Sequence, residues 1–297
     1  MGWCCIAVWV ESFVFCAFRS FLFFYFSWST AMLFPRSFFD LSGFPHAPLF
    51  LENEYVWTAL ARLKDYMDGY VYSQLKSPLL PEAEPLARTV VLHEGEILAA
   101  TGLNISYGDT TKEQLRVSAD GRVLTGATVI MAGAVLMGSR IALGRGVLVE
   151  SGALIKSPAI IGDYTEIRQG AYLRGYCLTG GHCVIGHTTE VKHSIFLDHA
   201  KAGHFAYLGD SVLGRDVNLG AGTKFANLRF LAGNVAIRTS DGTIDTGRRK
   251  LGAILGDKAQ TGCNSVTNPG TLIGKEGILM PNTTAPSGFH PPRSILR

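Results

Sequence analysis

The chain has 297 residues, 47% of them apolar, and a formal net charge of +3. That is ample material for a buried core, in one long domain or two small ones. So small a charge, with no basic stripe interleaved with aromatics, argues against a nucleic-acid surface.

Residues 1–31 read as a hydrophobic leader rich in aromatics and cysteine. No basic opening marks them as a signal peptide. Their longest uncharged run, 20–35, is shorter than the ~20 residues of a spanning helix. They are expected to be an upstream extension absent from the mature protein, with Met32 as the true start. The alternative is a membrane-associating segment, so membrane contact is expected only if they are retained.

Residues 32–126 form a small mixed α/β N-terminal region. Within it, Glu52 to Asp68 predicts an amphipathic helix, with Val56, Leu60, Leu63 and Met67 on one face and Gly69 as its stop. SPLLPEAEP (77–85) is a Pro-rich linker. From Thr89, short apolar runs predict strands that lead into a repeat beginning near Ala127.

The repeat spans 127–290 and has a period of six. Stepping from Leu143 gives Val149, Ile155, Ile161, Ile167, Leu173, Thr179, Ile185, Val191 and Leu197, all aliphatic but one. A small or β-branched residue follows four positions later in most turns, as at Val147, Ala153, Ala159, Thr165, Ala171, Cys177, Cys183 and Thr189. Neither a helix nor an ordinary strand has that period. Short strands joined by tight corners do, and the fold class is therefore all-β, a parallel β-helix of hexapeptide repeats. After a phase slip near Gly203, Leu213, Leu219, Phe225 and Leu231 continue the column. Leu255, Thr261, Thr267, Ile273, Leu279 and Ala285 resume it. Three hexads per turn give roughly eight coils. Between them, 227–251 is a polar, Gly-rich insertion ending in Arg248, Arg249 and Lys250, either a solvated loop or an anion contact. Residues 291–297 form a tail.

Six cysteines sit at 4, 5, 16, 177, 183 and 263. Cys177 and Cys183 occupy successive hexads and so different sides of a coil, which suits small core residues and not a disulfide. A reducing, cytoplasmic compartment is expected.

Polar residues that the rhythm does not need gather between Arg168 and Asn227: Arg168, Lys192, His204, Tyr207, Asn218 and Asn227. Five histidines crowd 182–204. His182 and His187 have a spacing that suits zinc in the γ-class carbonic anhydrases, which are hexapeptide proteins. That arrangement also needs a histidine two coils upstream, and none lies between His93 and His182. No metal site is expected. His204 differs, since Tyr207 follows three residues on. A neutral imidazole can take a proton from an amine or hydroxyl attacking an acyl group. Lys192 and Arg168, two and six hexads upstream, can offer positive charge to an anionic substrate. Packing of His204 and Tyr207 at a solenoid corner is the alternative.

KAGHFAYLGD (201–210) and GRDVNLGAGTKFAN (214–227) resemble the acetyltransferase domain of the bifunctional N-acetylglucosamine-1-phosphate uridylyltransferases. The similarity is strongest to the archaeal type, with NLRF, TGRRKLGA and a following LGD…TG. It covers about 127–290. It implies a left-handed β-helix, a homotrimer with sites between subunits, and acetyl-CoA as acyl donor. His204 is then the general base. Arg168, Lys192 and Tyr207 contact a sugar phosphate, Asn218 and Asn227 position the substrate, and Cys263 and Lys250 meet the donor. The chain lacks the nucleotidyltransferase half. It has LAGNVA, with Gly233 and Ala236, where the archaeal type carries lysines, and Leu228 where the bacterial enzymes have tyrosine. The resemblance implies an acetyl-CoA-dependent N-acyltransferase acting on an amino-sugar phosphate or nucleotide-linked amino sugar, as in UDP-N-acetylglucosamine biosynthesis. Alternatives are a non-catalytic trimeric assembly or regulatory protein, and an acyl-carrier-protein-dependent acyltransferase of a lipid precursor.

Overall fold

The computed structural model describes residues 32–73 and 75–297. The expected leader, with Cys4, Cys5 and Cys16, lies outside them. Among the described residues no helix is long and apolar enough to cross a membrane.

The chain winds into a parallel β-solenoid with three faces, consistent with the left-handed sense. The first face is part of an eleven-stranded sheet, and the second and third have eight strands each. Two strands of the eleven, Val90–His93 and Glu96–Ala99, form an antiparallel hairpin, and the first pairs antiparallel with Thr128–Ile130. The hairpin thus covers the edge that the first coil would leave bare. The remaining nine first-face strands end with Ile295–Leu296, so regular winding continues into the expected tail.

One buried column runs inside each face. The first holds Val149, Ile167, Ile185, Ala202 and Leu219; the second Ile155, Leu173, Val191, Leu208 and Phe225; the third Ile161, Phe196, Leu213 and Ile273. Each large aliphatic buried here is worth roughly 1.5–3 kcal/mol. Leu80 and Leu86 plug the N-terminal mouth of this core. Cys177 and Cys183 lie in it as free thiols, and burial pushes the Cys177 thiol up to about 12.

The coils are not uniform. Ile167 pairs with Ile185, eighteen residues on, but Ile185 pairs with Ala202, seventeen on. The residue is lost between the second and third faces, where Val191 and Phe196 are five apart. The same five-residue step recurs between Leu208 and Leu213, so the slip falls at two corners, those holding His193 and Asp210, on either side of Gly203. Phe196, not Leu197, pairs with Thr179 and occupies the third-face column. Leu231 leaves the column altogether and is exposed in the insertion.

The third face is apolar on its outside too. Ile160, Leu178, Ile195, Val212, Ile254 and Leu272 share a buried cluster with Phe38, Leu49, Trp57, Leu60, Leu63 and Met67 of the N-terminal segment. The helix there runs Thr58–Asp68, with Gly69 as its cap. It starts later than Glu52 because the preceding backbone is used elsewhere: the Val56 N–H donates to the Leu33 carbonyl at 2.9 Å. The second face has no such apolar exterior. Tyr172, Glu190, Lys192, Tyr207 and Lys224 are all exposed or half-buried there.

Candidate active site

His204 ends the first-face strand Lys201–His204, and Tyr207 opens the second-face strand Tyr207–Gly209. A single corner separates them. His204 is exposed. Its carbonyl accepts from the Gly222 N–H at 3.1 Å, and among the described contacts its ring has no hydrogen bond or ion pair. His187 lies beside it in register, one coil back.

The five crowded histidines go to three different corners. His182 and His199 stack at 4.8 Å between the third and first faces. His187 and His204 stand between the first and second, and His193 between the second and third. A spacing of five or six residues along the sequence thus becomes a change of face. Among the described residues no three His, Cys, Asp or Glu side chains converge as a metal site would require.

A polar cluster covers the second face beyond His204. Arg174 donates to Glu190 at 2.7 Å, and both lie close to Tyr207. Leu173 pairs with Val191, which sets Arg174 beside Lys192 on the outer surface. The Lys192 ammonium has no partner among the described contacts. Lys156 and Arg174 lie over the Tyr172 ring, 5.5 and 5.9 Å from its centroid. The strip is cationic, with Glu190 as its acidic member.

Tyr207 and Asn227 meet over Gly209. A Cβ at Gly209 would stand 2.5 Å from Asn227 Nδ2 and 2.8 Å from Tyr207 Oη, so glycine is required for that approach. Burial raises the Tyr207 pKa, helped by the charges of Glu190 and Asp210, and its hydroxyl keeps its proton at neutral pH. Asn227 Nδ2 donates to Asp210 Oδ2 at 2.7 Å. Arg248, from the far end of the insertion, has a terminal nitrogen 3.5 Å from Asp210 Oδ1.

The other residues singled out in the sequence lie apart from this cluster. Arg168 follows the first-face strand Glu166–Ile167 and pairs with Glu166 at 2.6 Å. Asn218 is exposed on the same face, in register with Lys201 and Gln260. Cys263 is exposed at the corner that carries His204, two coils further on. Lys250 is paired with Leu228 in an isolated bridge at the neck of the insertion. Structure adds Arg174, Glu190 and Asp210, and it gives Arg248 of the insertion a carboxylate neighbour in Asp210. Arg174 could have been found as the residue one eighteen-residue turn before Lys192. The shortened coils hide such relations when counted back from His204.

No protein-family model matches the chain. A bifunctional sugar-1-phosphate nucleotidylyltransferase/acetyltransferase of Sulfurisphaera tokodaii is 43% identical over 90 residues, 30% of this chain and 22% of that protein. A bifunctional protein GlmU of Methanococcus vannielii is 38% identical over 91 residues, 31% of this chain and 22% of that protein. The match thus spans under a quarter of those relatives' length. Among solved structures, a UDP-N-acetylglucosamine acyltransferase of Francisella novicida aligns over 52% of this chain and 55% of its own, at 16% identity and a TM-score of 0.37.

Proposed function

We propose that this chain is an acyltransferase that moves an acetyl group from acetyl-CoA to the nitrogen of an amino-sugar phosphate or nucleotide-linked amino sugar. The observation that carries the reading is one juxtaposition. The exposed imidazole of His204, without a hydrogen-bond partner among the described residues, stands one corner from a strip holding Arg174, Lys192, Tyr207 and Asn227. The local similarity to acetyltransferase-bearing relatives supports the same chemistry.

In this reading Arg174 and Lys192 receive the phosphate, Tyr207 donates to the sugar or its phosphate, and Asn227 orients the acceptor. Arg168, Asn218, Cys263 and Lys250 lie on other parts of the surface. Their expected roles need a second copy or a donor reaching along the coils. The third face is covered by the N-terminal segment, so the first and second faces are left for a homotrimer with shared sites.

The amine attacks the thioester carbonyl as His204 takes its proton. The tetrahedral oxyanion is met by a backbone N–H of the coil wall. The C–S bond then breaks, an amide forms, and CoA leaves as a thiol after gaining a proton. Holding both substrates in one groove removes much of the entropic cost of the encounter.

The test is release of free thiol from acetyl-CoA by protein starting at Met32. Glucosamine-1-phosphate, galactosamine-1-phosphate and UDP-linked amino sugars serve as acceptors. Release with one of them supports the reading and names the acceptor. CoA binding without release from any acceptor favours a non-catalytic role.

A further inference from the structure

We propose that Asp210 is a positioning residue that fixes the Asn227 amide and fastens both roots of the 227–251 insertion to the solenoid wall. The proposal deepens the acyltransferase reading, in which Asn227 orients the acceptor.

Asp210 sits at the corner after the second-face strand, with φ of 50°. Its N–H donates to the Lys192 carbonyl at 3.0 Å, and its carbonyl accepts from the Gly252 N–H at 2.9 Å. Its backbone therefore joins the preceding coil to the first residues after the insertion. Its side chain joins the two sides of the neck. Oδ2 accepts from Asn227, where the insertion leaves. Oδ1 faces Arg248, where it returns. The neck is closed by the Leu251 N–H donating to the Asn227 carbonyl at 3.0 Å. His193 Nδ1 lies 3.0 Å from Oδ1, in ion-pair range but off the line of a good hydrogen bond.

Asp210 is only 6% exposed. A carboxylate at such a depth is costly unless its partners are held against it. Here the partners come from three segments, the preceding coil and each root of the insertion. The carboxylate can only accept, so it selects the donor end of the Asn227 amide. The amide also reaches the Tyr207 hydroxyl. With its nitrogen engaged, Asn227 presents its oxygen to a ligand, and that oxygen is suited to an acceptor N–H or O–H. Without Asp210 the amide is free to flip, and the insertion loses a side chain that touches both of its roots.

The experiment compares Asp210→Ala, Asn227→Ala and their double variant in the full chain, with two readouts. The first is hydrogen exchange of backbone amides. Exchange within 228–251 is expected to rise in Asp210→Ala while that of 153–185 is unchanged. The second is steady-state kinetics with the acceptor found above. The acceptor KM is expected to rise ~10-fold with kcat little changed, the signature of lost binding alone. The double variant is expected to be no worse than Asn227→Ala, since residues acting through one another are not additive. Additive losses, unchanged exchange in the insertion, or faster exchange in every coil would overturn the proposal. If Asp210→Ala fails to fold, Asp210→Asn keeps the shape while losing the charge. It is expected to fall between wild type and Asn227→Ala, and wild-type behaviour in both readouts would overturn the proposal. A wild-type protein with no transferase activity would defeat the functional reading, and the exchange comparison would still decide the clamp.

Discussion

Arg174 and Glu190 meet at 2.7 Å across one turn of the solenoid, with Tyr207 in the next turn of the same column. The pair is partly exposed, and pairs of that kind add at most ~1 kcal/mol to stability. Arg174→Ala is therefore expected to leave the melting temperature nearly unchanged. If the guanidinium receives the acceptor phosphate, the same variant should raise the acceptor KM ~10–100-fold, as loss of a charge-assisted hydrogen bond does. Arg168→Ala, on the other face, is the comparison, and kinetics of the two variants with one acceptor check the assignment.

Gly209 offers a steric test. Its φ is not unusual, so alanine there tests crowding against Tyr207 and Asn227 alone. Gly209→Ala is expected to displace that pair and to cost ~1–3 kcal/mol in stability through overpacking. Acceptor binding should weaken more than donor binding. Denaturant titration and separate binding isotherms for the two substrates would show it.

The apolar exterior of the third face makes the N-terminal segment an integral part of the fold. Leu60 and Leu63 are fully buried in that contact. Leu63→Ala is expected to destabilise the protein by ~2–5 kcal/mol. The check is the urea midpoint, which should fall while its slope holds.

Asp210 gives a pH dependence of defined sign. Burial opposes its ionisation, but His193, Asn227 and Arg248 more than offset this, and its pKa lies below the ordinary 3.8. A depressed folded pKa contributes stability that is fully present above the unfolded value and is lost as pH falls through the folded one. The difference in melting temperature between wild type and Asp210→Asn is thus expected to shrink as pH falls below about 4. A difference that grew toward low pH would contradict it.

The solenoid was legible because its inward positions are almost all aliphatic, and a hexad column such as Val149, Ile155, Ile161 and Ile167 has no helical or plain-strand explanation. The shortened coil was harder to see. In SIFL, Ile195, Phe196 and Leu197 are all apolar and all buried, so a one-residue shift leaves no mark on the pattern. Counting whole eighteen-residue turns back from His204 then selects Arg168, which lies on the first face, whereas Arg174, five hexads back, lies beside Lys192. The histidines crowd in sequence and not in space for a related reason: each corner turns the chain by one face, so neighbours in sequence part. The pairing of Asp210 with Arg248 was hidden differently. Their relation spans the insertion, and nothing local in LGD or GRRK records which carboxylate an arginine 38 residues later will meet.

The central claim is that His204 removes the proton from the attacking amine. Its ring is exposed and has no hydrogen bond or ion pair among the described residues, so His204→Ala should melt close to wild type. The most direct measurement is the rate of thiol release from acetyl-CoA by this variant and by wild type, with the same acceptor at saturation. A fall in turnover of ~10²–10⁴-fold, with CoA binding retained, is the expected result. Equal turnover in the two proteins would contradict the claim and remove His204 from the mechanism.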